Sequence, residues 1–463
     1  MNVSKFNLLT LSDRFVEQDD NQEQGGKEMK KWIAMLLALV MLFSMTACGN
    51  SEKAGASASG TTPTEEGLPY EGETLTVLYM SGVYADAARA MVDEFEAATG
   101  ATVEVVDYPY LTLHEKALLD LTSGTGSYDV IDVASQWDGE FAPFLEPLDP
   151  YIEADGYDMS VWIENVLANC GEWQGTVIGI PNASTPQVFA YRTDLLPNGI
   201  PDTWEEYRNA LAEVNDPANG LYGVTVSELS GQLGGVFDYI LWSMGGAWAD
   251  EDWNVTINSE ETRAALEHLY ELKALSDPAN LAWGTDESIK AFLDGKAAVC
   301  ETWPTLGLVQ AADDPAQSQV VGKWALDVIP HEKTGVTLLS AWDVAIPAGS
   351  ENKDLAWEWI KMYTSYEMQN KFYDEFDILS PRKEFWEQEK MADFAAVRDA
   401  LDTANMWWRI PASVEADSMI NTIVGAYLSD QIGLEEAVTQ LEDALTAALK
   451  NSPPEEGIKN YNH

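Results

Sequence analysis

The chain predicts an α/β fold in two lobes, and three observations carry that expectation. Between Thr74 and Val133, short strand-like runs alternate with stretches of helical periodicity. The segments between those runs are long enough for crossover helices, so the sheet they build should be parallel. Globular composition then continues from about Glu73 to Leu449, too long for one ordinary core.

Residues 1–28 are acidic and polar and read as an extension upstream of the true start, Met29. From Met29 the chain runs Lys30-Lys31, an apolar stretch from Trp32 to Ala47, then Cys48. Two lysines, a short apolar run and small residues before a cysteine describe a secretory signal peptide over residues 29–47. The run is broken by Ser44 and Thr46 and is shorter than the roughly 20 residues of a membrane span. The segment resembles a bacterial lipobox, which implies lipidation of Cys48 and an anchor on the outer face of the cytoplasmic membrane. Residues 48–72, rich in Gly, Ser, Thr and Ala, read as a flexible tether.

Thr74–Met80 reads as a buried strand, and Ala88, Met91, Val92 and Phe95 follow at helical spacing before Gly100 ends that helix. Thr102–Val106 alternates as a second strand. Leu111–Leu121 is helical up to Ser123-Gly124, and Tyr128–Val133 is a third strand. Ligands of open α/β sheets gather beyond the carboxyl ends of the strands. Those ends are Met80–Tyr84, Asp107–Tyr110 and Ala134–Asp138, and all three are rich in aromatics.

The whole chain has a formal net charge of −51. Such a surface repels nucleic acid and anionic headgroups and disfavours polyanionic ligands, while leaving neutral and cationic solutes open. Cys170 and Cys300 read as buried free thiols, with pairing left open because sequence does not reveal their separation. Asp250, Asp252, Asn254 and Glu261 fall on positions 1, 3, 5 and 12 of a calcium loop. Val255 stands where the sharp turn wants glycine, so no metal site is expected. No nucleophile elbow, zinc-protease helix or phosphate loop is present, and the four histidines form no recognisable catalytic pair, so the chain reads as a non-enzyme without a cofactor.

Phe95–Val105 (Phe-Glu-Ala-Ala-Thr-Gly-Ala-Thr-Val-Glu-Val) resembles the opening of the family 1 extracellular solute-binding proteins of ABC importers, the type that includes maltose-binding proteins. Tyr128–Val133, Phe141–Asp149, Gly179–Pro181, Tyr191–Leu195, Pro201–Tyr207, Asp252–Asn258, Ala291–Ala298, Ala345–Ser350 and Pro381-Arg382 follow in the family's order. The resemblance implies a periplasmic-binding-protein-like fold of two lobes joined by a hinge, with a ligand cleft between them. Lobe one is expected at 73–182 plus 327–380, and lobe two at 183–326 plus 381–463. It further implies a monomer that hands a sugar or oligosaccharide to the transmembrane subunits of a permease in a transient encounter.

The chain has 17 Trp against 13 Phe, an inversion of ordinary core usage. An indole offers a flat apolar face and one N–H donor, which matches the C–H face and hydroxyl rim of a sugar. Trp204, Trp357 and Trp359 fit helix packing. Trp137, Trp342 and Trp408 are the candidate stacking platforms, joined by Tyr84, Trp242 and Trp303; Asp138, Asp343 and Arg409 are the candidate hydroxyl partners. A polyamine, peptide or other cationic solute on the same fold is the alternative, since acidic charge and indole faces also suit a cation. A glycoside hydrolase and a structural surface lipoprotein are the remaining classes.

Overall fold

The computed structural model describes residues 67–226, 233–304, 308–455 and 458–460. The expected N-terminal extension, signal segment, Cys48 and residues 48–66 of the tether lie outside the described residues.

Strand β1 (Thr74–Met80) leads through the helix Val83–Thr99 to β2 (Thr102–Tyr108), and the helix Tyr110–Ser123 leads on to β3 (Val130–Ala134). Both helices end where expected, at Gly100 (φ 82°) and Gly124 (φ 62°), in the left-handed conformation that glycine adopts at low cost. β3 begins two residues later than its apolar pattern, because Asp129 instead binds Thr76 N–H through its carboxylate at 2.9 Å. After a two-residue hairpin of β4 (Glu172–Trp173) and β5 (Thr176–Val177) come β6 (Gly179–Pro186) and β7 (Val188–Arg192). β8 (Tyr222–Val226), β9 (Ala297–Thr302), β10 (Trp324–Asp327) and β11 (Leu339–Ala345) complete the two main sheets.

The first sheet has the order β2-β1-β3-β11-β6, with β1 parallel to both β2 and β3, as the crossover pattern requires, and β11 antiparallel to β3 and β6. The second has the order β10-β7-β9-β8. Each sheet centres its own core. Phe95, Trp137, Trp342 and Trp359 belong to the first, while Trp204, Tyr207, Phe237 and Trp408 belong to the second. The helices Leu233–Ser243, Glu260–Lys273, Ala412–Leu428 and Leu434–Asn451 pack together on the second core. β6 stays in the first sheet as far as Pro186, past the crossing expected at 182, and only Gln187 separates it from β7 in the second. Pairing between β11 and β6 slips by one residue at Trp342/Asp343, a bulge opposite Asn182, whose amide turns inward to Asp132 at 3.0 Å.

Cys170 and Cys300 form no disulfide and are buried in separate clusters. The calcium-like loop spends its groups elsewhere: Asp250 caps the backbone N–H groups of Asp252 and Asn254, Asp252 pairs with Lys459, and Glu261 pairs with Lys333 at 2.9 Å. Trp204, Trp357 and Trp359 are core indoles, each with its N–H satisfied, by Ser243, Asp155 and Tyr79 respectively.

Candidate ligand-binding cleft

The carboxyl ends of β1, β2 and β3 open onto a cavity of about 510 Å3. Gly82 at φ 93° turns the chain sharply after β1, which sets Tyr84 in the first turn of the next helix. Pro109 starts the helix that presents Tyr110, and the short 3-10 turn Ser135–Trp137 presents Gln136 and Trp137. Trp342 reaches the same place from β11. These rings form one continuous wall: Tyr84 to Trp342 at 5.3 Å between centroids, Trp342 to Trp137 at 5.7 Å edge-on, and Trp137 to Tyr110 at 5.0 Å. His114 closes the row 4.9 Å from Trp137 and is held by Glu140 at 2.8 Å. Burial and the buried Asp132 below it push the Tyr84 phenol well above its ordinary range, so its hydroxyl keeps its proton and can donate. Asp132 itself is pushed up to about 7, because burial outweighs its bonds from Asn182 and Met80 N–H.

The facing wall comes from the second core: Gly235, Trp303, Trp407, Ser413, Val414 and Asp417. Thr185 and Ser340 line the cavity from β6 and β11 near the crossing between the sheets. Trp407 donates its indole N–H to Asp238 at 2.8 Å, and that buried carboxylate also takes Trp248 at 2.6 Å. A Cβ at Gly235 would lie 3.0 Å from the Trp407 ring, so the ring rests directly on the helix backbone.

Of the residues picked from sequence, Tyr84, Trp137, Trp303 and Trp342 line this cavity. The other five do not. Trp408 packs in the second core, edge-on to Trp248 at 5.0 Å and Trp253 at 5.4 Å. Its neighbour Trp407 is the ring that lines the cleft. Trp242 lies seven residues beyond Gly235, on the same helix face but about 10 Å further along the axis. There it is buried, its carbonyl bound by Thr334 at 2.8 Å.

Asp138, Asp343 and Arg409 form a buried cluster apart from the cavity. Arg409 donates to Asp138 at 2.6 Å and to the carbonyls of Ala168, at 2.7 Å, and Glu172. Its guanidinium also lies over the Trp173 ring. Asp343 sits behind Asp138, with the Cys170 thiol 3.5 Å away. Burial raises both carboxyls, with the Arg409 charge opposing the shift at Asp138. Asp343, facing the Asp138 charge as well, is raised well above the usual carboxylate range. Along β11 successive side chains point to opposite faces, so Trp342 faces the cavity while Asp343 turns under the sheet. Asp138 opens the short helix Asp138–Phe141 that follows the 3-10 turn and is fully buried beside Arg409.

Trp407, Asp417, Gln136 and Tyr110 were not selected from sequence. Tyr110 and Gln136 stand on strand tips already singled out, so the topological rule alone would have found them. Asp417 lies in an unremarkable helical segment and carries no such signal.

Two α/β lobes with an aromatic cleft between their sheets define a solute receptor that binds between lobes. The chain belongs to the family of bacterial extracellular solute-binding proteins, whose model matches residues 81–370. This family places it outside the cytoplasm, and no helix among the described residues is long and apolar enough to cross a membrane.

Among its relatives is a probable amino-acid ABC transporter periplasmic-binding protein, y4oP, of Sinorhizobium fredii. It is 28% identical over 73% of this chain and 77% of its own length. A mannitol-binding protein of Pseudomonas aeruginosa is 24% identical over 53% of this chain and 58% of its own length. Among solved structures, a solute-binding protein of Agrobacterium radiobacter K84 in complex with ribitol superposes with a TM-score of 0.73 at 25% identity. It covers 83% of this chain and all of that one. Maltose-bound MalE3 of T. maritima has the same fold, with a TM-score of 0.74 at 22% identity over 81% of this chain and 99% of that one. These relatives are binding proteins rather than enzymes.

Proposed function

We propose that the protein captures a neutral sugar, polyol or oligosaccharide in this cleft and delivers it to the transmembrane subunits of an ABC importer. One observation carries the reading: aromatic side chains from three strand tips of one sheet face Trp303 and Trp407 of the other core across a single cavity. Ring faces suit the C–H face of a sugar, and Gln136, Thr185, Ser340 and Ser413 supply polar groups suited to its hydroxyls. The ribitol and mannitol named for the relatives support the same ligand class.

The ligand contacts both walls fully only when the lobes shut, so binding favours closure and the permease distinguishes loaded from empty receptor by shape. The lobes are those expected above, with one crossing at Pro186–Gln187. The receptor acts as a monomer, meets the permease transiently, catalyses no reaction and needs no cofactor. Cys48 carries the lipid that holds it at the membrane, which the mass of the processed chain would test.

Calorimetry of the soluble chain begun at Gly49, against a panel of sugars and polyols, tests the ligand reading. Saturable binding of at least one is expected, and binding of none overturns it. A cationic solute is the second reading, favoured by Asp417 in an aromatic cleft. Spermidine binding without any saccharide response would establish that reading instead.

A further inference from the structure

The residues that line the cavity include no Lys or Arg, and Asp417 is the one carboxylate among those described. We propose that Asp417 determines the specificity of the cleft by accepting hydroxyl hydrogens of the bound sugar or polyol, an inference that rests on the saccharide reading above. The three charged candidates from sequence sit in their own cluster, so a charged hydroxyl acceptor would come from elsewhere, and among the described residues Asp417 is the carboxylate on the cavity wall.

Its surroundings hold it in place. Asn421, one helical turn on, takes the Gly234 N–H on its amide oxygen at 2.8 Å. The amide nitrogen is thereby turned toward Asp417, donating to its backbone carbonyl at 2.9 Å and its carboxylate at 3.1 Å. A Cβ at Gly234 would fall 2.3 Å from the carboxylate, so the group lies against a helix surface only glycine leaves open. Among the described residues no cation pairs with it. An ionised carboxylate only accepts hydrogen bonds, and adjacent hydroxyls of a neutral ligand are donors that would satisfy it without a counter-charge. An anionic ligand would be repelled.

The titratable groups facing this region are few. Asp238 stands on the helix packed beneath, holding two indole N–H groups, and across the cavity are Tyr84, Tyr110 and His114 with its partner Glu140. Burial pushes Asp417 up to about 6 despite the bond from Asn421. Hydroxyl donors favour the ionised form, so ligand entering below about pH 6 should drive a proton off this group.

The test begins with a saccharide that the unchanged chain binds. Titration at pH 5.5 in two buffers of different ionisation enthalpy should reveal proton release on binding. Asp417→Asn should abolish that release and weaken the same ligand at least ~10-fold at pH 7.5, with a melting temperature no lower than that of the unchanged chain. Equal affinity and equal proton release in the variant would overturn the inference while leaving the saccharide reading intact. Marked preference for an amino sugar over its neutral parent would also overturn it, by assigning Asp417 to a cation. If the unchanged chain binds no saccharide, the failure appears before any substitution and removes both readings.

Discussion

Arg409→Met tests whether the buried cluster is structural or touches ligand. In the parent, Arg409 is the cation beside the fully buried Asp138, and it also satisfies the carbonyls of Ala168 and Glu172. Removing one member of a buried pair costs about 3–5 kcal/mol, because the other charge is left uncompensated. At roughly 2.1 cal/mol/K per residue of unfolding entropy, the unit spanning residues 67–463 loses about one degree per 0.8 kcal/mol. A fall in Tm of about 4–6 °C follows. Asp138 can relieve the variant by taking up a proton, so the loss should be greater at pH 8 than at pH 6. Adding Asp138→Asn, which removes the stranded charge, should recover part of it. Differential scanning calorimetry reads the stability, and titration of a bound saccharide at 25 °C should show affinity within about 2-fold of the parent. A variant that melts like the parent yet loses ligand would refute the reasoning and put Arg409 in the cleft.

Glu301, buried between the hydroxyls of Tyr207 and Tyr239, is pushed up to about 7 by burial, so the native chain holds its proton where the unfolded chain has lost it. Between about pH 4.5 and 7 the native state therefore binds more protons, and this group's contribution to stability falls as pH rises. Glu301→Gln should remove that slope in urea titrations across the window and leave the variant relatively more stable at pH 7.5. Gly235→Ala brings a Cβ to 3.0 Å from both Trp407 and Leu338, so the ring must shift. Saccharide affinity should fall roughly 3–10-fold while Tm holds, since alanine favours the helix by about 0.5–1 kcal/mol. In the chain begun at Gly49, Cys170 and Cys300 are buried, and burial pushes the Cys170 thiol far up. A thiol reagent at pH 8 should modify neither until guanidinium is added, and fast modification in the native state would contradict this packing.

The first wall of the cleft was legible in the sequence because two periodicities sufficed. Strand and helix patterns from Thr74 to Val133 set β1, β2 and β3 parallel, and parallel strands must present their carboxyl ends together. Tyr84 and Trp137 followed from that. The second wall was not legible, because it is assembled from segments far apart in the chain whose meeting is a matter of tertiary packing. Trp407 and Trp408 differ by one position in a segment with no period to say which faces inward. Asp138 and Asp343 were misread for a related reason: a carboxylate beside a cleft-lining indole looks available until a half-buried arginine, 271 residues from Asp138, claims one of the pair. Gly234 and Gly235 carried no signal of their own in the sequence, and only their neighbours, Asp417 and Trp407, explain them.

β6 and β7 follow one another with a single residue between them, and that residue is clasped by the returning chain. Gln187 N–H donates to the Leu338 carbonyl at 2.8 Å, and the Thr337 hydroxyl donates to the Gln187 carbonyl at 2.8 Å. On the closure proposed above, any rotation of one half against the other passes through this single-residue joint, so a substitution that breaks its two hydrogen bonds would alter how the receptor shuts without touching the aromatic wall.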